Sequence, residues 1–154
     1  MKKRILILIT LFVAMTISVA CAQDPWKILE KYECLSVTIY NSEDETHLDD
    51  EQNHAIVTHL QINGSKKSSE LITINIGADY TYIAEVLSKE SYEYGEYEYF
   101  RYHCRNFEKN SGPEDVIIAF ICEKNGDKDV PFGIIYKYVF SSIELLLGGI
   151  IRNI

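Results

Sequence analysis

Seven consecutive apolar residues, Val116-Ile117-Ile118-Ala119-Phe120-Ile121-Cys122, constrain the fold more than any other feature of this sequence. A strand sends successive side chains to opposite faces, so this one is apolar on both faces and needs cover on both. It predicts a central strand. The rest of the chain must supply that cover.

Flanking patterns predict the other elements. Asp24 and Pro25 form an N-cap and first-turn proline, and Ile28, Leu29 and Tyr32 follow at helical spacing, predicting a first helix. Residues 35–40 alternate apolar and polar as a half-buried strand does. Residues 41–53 carry six acidic side chains and predict a surface loop. Residues 55–62 are β-branched and predict a strand, in competition with a helix capped by Asp49 and Gln52. A loop through residues 64–69 places Leu60 opposite Ile72 and Ile56 opposite Ile76, which makes one sheet face wholly apolar. Asp79 caps a second expected helix carrying Ile83, Val86 and Leu87.

Tyr97–Phe107 is a strand preceded by a bend at Gly95, and Phe132–Phe140 is another. Ser141 and Glu144 form a capping box for a last helix beginning at Ser142, weakened by Gly148 and Gly149. The order is helix, three strands, helix, three strands, helix. It predicts an α+β fold, an antiparallel sheet with helices packed on one face in a two-layer sandwich.

Residues 1–22 read as a signal peptide, with Lys2, Lys3 and Arg4 as its basic head, an apolar run to Ala20 and small residues to Ala22. The expected domain is then 23–154, in a secreted or periplasmic setting. Cys21 is the alternative processing point, as a lipidated first residue that would tether the chain to the envelope. Cleavage removes three basic and no acidic residues, so the formal charge falls from −8 to −11. Such a chain repels phosphate backbones, which excludes nucleic acid as an expected partner. The only expected membrane link is the lipid on Cys21.

Few residues suggest chemistry. Cys34, Cys104 and Cys122 remain after cleavage, an odd number without a Cys-x-x-Cys motif. Pairing Phe107 with Asp115 sets Cys104 opposite Ile118 and Phe100 opposite Cys122, too far apart along the strands for a Cys104–Cys122 disulfide. His47, His54 and His59 lie near Asp49, Asp50 and Glu51, but their spacing matches no zinc or calcium site. No Gly-x-Ser-x-Gly, phosphate loop or dinucleotide fingerprint occurs, so no catalytic residue, metal or cofactor is expected.

The densest aromatic stretch runs from Tyr92 to Arg105. Phe100, Tyr102 and Cys104 share one strand face, assigned to the core. Tyr97, Tyr99, Arg101, His103 and Arg105 share the other. Tyrosines stack and arginines fork carboxylates, so this face suits an anionic or glycan ligand, or a protein partner. The competing reading is a solvated face whose cations pair with carboxylates on adjacent strands. The leading expectation is a small exported, non-enzymatic binding domain using that face. The alternatives are a small hydrolase-like enzyme using His and carboxylate groups of residues 41–59, and a lipidated structural component of the envelope.

Overall fold

The computed structural model describes residues 25–50, 54–64, 67–78, 80–108, 112–127 and 129–154. The expected signal peptide, the lipid on Cys21, the caps at Asp24 and Asp79, and Glu51 and Gln52 lie outside these residues. Among the described residues every regular element is a strand: β1 (Trp26–Asn41), β2 (Thr46–Asp50), β3 (Ala55–Asn63), β4 (Ser68–Ile76), β5 (Tyr80–Tyr94), β6 (Tyr97–Glu108), β7 (Gly112–Glu123), β8 (Gly133–Tyr138) and β9 (Ile143–Asn153).

All the pairings are antiparallel. From β3 to β9 each strand lies beside the next, and β9 returns to pair with β1, whose other edge holds β3. Eight strands thereby form a closed barrel, and β2 lies along the C-terminal part of β1 beyond β3. The expected α+β sandwich is therefore corrected to an all-β barrel. Closure gives the sheet an inside that its own side chains fill, so no layer of helices is required.

The three expected helices are β1, β5 and β9, and each contains a β-bulge. Leu29 is the extra residue between the Ile28–Leu60 and Glu30–His59 pairs. Leu87 is the extra residue between Val86–Cys104 and Ser88–His103. On β9, Gly149 and Ile150 stand against Leu35 of β1. A bulge shifts the alternation of side chains by one, so apolar residues fall at neighbouring positions and imitate helical spacing. Gly149 is what the third bulge requires: its φ is 74°, and a Cβ there would lie 3.1 Å from Ser36 Oγ and 3.2 Å from Ser36 N. The expected capping box is a local turn, in which Ser141 Oγ accepts from the Ile143 backbone N–H at 3.0 Å.

Two registers also differ from expectation. Ile72 faces His59, and Ile76 faces Ala55, one residue away from the expected partners. Phe107 faces Pro113 rather than Asp115, which sets Phe100 opposite Phe120, Tyr102 opposite Ile118 and Cys104 opposite Val116. The second slip is by two residues and keeps every side chain on its expected face. The first is by one and exchanges the faces of β3, putting His59 inside and Leu60 outside. Residues 41–53 are not wholly loop either, because Thr46–Asp50 is β2.

The interior is packed through its middle by Val57, Ile72, Ile74, Ile118, Ile134, Tyr136 and Leu147. Cys34, Cys104 and Cys122 are buried thiols without a disulfide. Burial pushes the Cys34 and Cys104 thiols up to about 12.

Candidate functional site

The barrel is not filled to both ends. At the end formed by the starts of β1, β4 and β6 and the ends of β3, β5 and β7, a cavity of about 230 Å³ remains. Glu30, Tyr32, Phe100, Tyr102, Phe120 and Cys122 line it, and Pro131 closes it from the β7–β8 connection. That connection is tied to the sheet by hydrogen bonds from Phe132 N to Ile121 O (2.6 Å) and Lys124 N to Glu96 O (2.9 Å).

The aromatic rings meet at angles. Tyr32 and Phe120 have centroids 6.0 Å apart at 54°, and Tyr102 meets Phe120 edge to face at 5.5 Å and 79°. The register sets Phe100 opposite Phe120, next to the Tyr102–Ile118 pair. Tilted rings bound a space where parallel rings would stack it shut. A second hollow of about 180 Å³ lies across the same Phe100–Tyr102 wall, lined by Lys89, Glu90 and Ser91.

A charged cluster lies beside the cavity. His59 is only 5% exposed, and its Nε2 faces Glu70 Oε2 at 3.0 Å while Nδ1 faces Glu30 Oε2 at 3.6 Å. Its ring packs edge-on against Tyr102, with centroids 5.3 Å apart. Lys89 Nζ reaches Glu70 Oε1 at 3.4 Å. Burial raises the Glu70 carboxyl, but the His59 hydrogen bond and the Lys89 charge outweigh it and hold the group below the usual glutamate value. The Tyr102 hydroxyl is pushed up to about 12, first by burial and then by the charges of Glu30 and Glu70. Burial and the Glu30 charge raise Tyr32 as well.

Two bulges put the charges there. Leu29 turns Glu30 inward opposite His59, although Ile28 just before it pairs with outward-facing Leu60. Leu87 does the same for Lys89, which pairs with inward-facing Tyr102. Bulges re-aim side chains at barrel rims in this way.

No family model, curated protein or solved structure matches the chain. The site is therefore read from its own geometry.

The stripe Tyr97, Tyr99, Arg101, His103 and Arg105 does lie on one face, the outer wall of β6, with Phe100, Tyr102 and Cys104 inside. Arg101, His103 and Arg105 each face a carboxylate on a flanking strand. Arg101 pairs with Glu90, His103 Nε2 faces the same carboxylate at 3.3 Å, and Arg105 Nε is 4.0 Å from Asp115. Tyr99 stacks on Tyr92 with an interplanar angle of 3°, and Arg101 lies over the Tyr92 ring.

The three histidines named with the acidic segment are not brought together. His47 pairs with Tyr40 at the opposite end of the barrel, His54 is exposed before β3, and His59 is inside. The side chains of Asp49 and Asp50 lie outside the described residues. Among the described residues no His, Cys, Asp and Glu group is arranged to hold a metal ion.

Glu30, Glu70, Lys89 and Tyr102 were not marked as site residues by sequence patterns. One signal for Glu70 was present: it keeps the same alternation as Ile72, Ile74 and Ile76, a charge in phase with the core. Chemically the cluster is a holding device. Both His59 ring nitrogens are turned to carboxylates, and His59 does not line the cavity, whereas Glu30 does.

Proposed function

We propose that the chain is a small exported binding protein, without enzymatic activity, that holds a small ligand in the cavity at the barrel mouth. The observation that carries this reading is the cavity itself: aromatic walls and one carboxylate, at the open end of a barrel otherwise packed with side chains. Barrel mouths are where such ligands bind, with apolar walls and a few polar groups. Export rests on the basic head and apolar run of residues 2–20.

Two observations favour binding over hydrolysis. The histidine beside the cavity is tied through Nε2 to Glu70 and does not line the cavity, and burial keeps Cys34 and Cys104 protonated, unlike activated nucleophiles. The outer Tyr/Arg stripe is the second reading. Its paired Tyr92–Tyr99 rings offer a flat aromatic platform, but a ligand there must displace Glu90 and Asp115 from the arginines.

A fragment screen followed by backbone amide NMR separates the two. Shifts should concentrate at Glu30, Phe100, Phe120 and Phe132, the residue after Pro131. Shifts confined to Tyr99, Arg101 and Arg105 would move the site to the outer wall. No fragment binding at all would overturn the cavity reading.

A further inference from the structure

We infer that the ligand of the mouth cavity is a small organic cation, a protonated amine or quaternary ammonium, held against the aromatic walls and paired with Glu30. This rests on reading the cavity as the ligand site and names the chemistry it would take.

The two mouth carboxylates are not equivalent. Glu70 is served from inside the protein by the His59 hydrogen bond at 3.0 Å and Lys89 at 3.4 Å. Glu30 has only the His59 ring at 3.6 Å among the described residues, outside hydrogen-bond reach, and it borders the cavity. Glu30 is 46% exposed and open to water, and a ligand that excludes that water must bring a counter-charge in its place. Among the described residues no cation lines this cavity: Lys89 is in the neighbouring hollow, beyond Phe100 and Tyr102. A cationic ligand would bring that counter-charge.

The walls suit the same guest. Tyr32, Phe100, Tyr102 and Phe120 place four π-systems around one space, and the negative face of an aromatic ring attracts a cation. An anion would meet Glu30 and these ring faces with the wrong sign. A neutral guest would shield Glu30 from water without pairing its charge. Size narrows the choice further. A cavity of about 230 Å³ has roughly the volume of eight water molecules in the liquid, which admits a compact amine and not a long-chain lipid. The formal charge of −8 on the whole chain also favours the approach of cations.

The test is calorimetric titration of the protein with choline and with phenethylamine, each against its uncharged isostere, dimethylbutanol and phenylethanol. Glu30→Gln and Phe100→Leu are measured alongside, with melting temperatures to confirm folding. At least one cation should bind at least about tenfold more tightly than its isostere, and Glu30→Gln should remove most of that preference. Phe100→Leu should weaken the cation more than the isostere. Equal affinity for cation and isostere would overturn the cation assignment and leave the cavity reading standing. So would binding of neutral or acidic fragments at the same residues while both amines fail. A cation preference untouched by Glu30→Gln would overturn the role of Glu30. Absence of binding by every fragment class would bring down the cavity reading itself.

Discussion

The same arrangement occurs twice on this barrel, once inside the mouth and once on the outer wall. Inside, Glu70 is held between His59 and Lys89; outside, Glu90 is held between His103 and Arg101. Both carboxyls are held below their usual value by their partners. The difference is solvent. His59 is buried among core side chains, whereas His103 and Glu90 are on the open wall. A glutamate between a histidine and a basic side chain therefore makes a structural cluster in one place and a surface ladder in the other, because a buried polar group without its partner is costly and an exposed one is rehydrated.

The largest effect expected from this contrast is on stability. Glu70→Ala leaves His59 Nε2 buried without its acceptor and should cost about 1–3 kcal/mol in chemical unfolding. Glu90→Ala should leave the melting temperature nearly unchanged. Equal losses at the two sites would remove the distinction between mouth and wall.

A smaller effect is expected on pH dependence. The folded Glu70 carboxyl is held below its ordinary value, so its stabilisation is fully present above the ordinary glutamate pKa. It is lost as pH falls through the depressed folded value. The stability difference between the native chain and Glu70→Gln should therefore shrink as the solution is acidified. Molar salt should abolish the corresponding Glu90→Gln difference and leave part of the Glu70 difference, because buried pairs are screened less. A Glu70 difference that grows toward acid pH would reverse the assigned direction.

The smallest effect is on reactivity. With their thiols pushed up to about 12 by burial, Cys34 and Cys104 should resist alkylation at neutral pH until the protein is unfolded. Mass mapping of the labelled native protein reads this directly. Rapid labelling of Cys104 would mean that the barrel opens beside the cluster.

Regular strands were legible in the sequence and bulged ones were not. Residues 35–40, 55–62, 97–107 and 116–122 alternate without an extra residue on their own strand, and each falls within an observed strand. Ile28-Leu29, Val86-Leu87 and Gly148-Gly149 are where the alternation breaks, and at each a helix was expected. The same breaks turn Glu30 and Lys89 into the mouth. What concealed the fold thus also concealed half of the site. His59 was hidden for a different reason: the larger aliphatics of β3, Ile56 and Leu60, suggested the inner face, while the barrel admits Ala55 and Val57 there. On β6 the two faces were separated correctly, because no extra residue interrupts the strand.

Closure of the ring by β9 also sets the order in which the chain can mature. From β3 to β9 every pairing joins neighbours in sequence and can form as soon as both are synthesised, whereas residues 32–41 must wait for residues 143–153. Until the C-terminal strand emerges, β1 and β8 are open edges that a second chain could extend. A chain ending before Ile143 would keep both. The last eleven-residue strand therefore acts as the seal of the molecule and its protection against self-association, separately from anything it contributes to the ligand site.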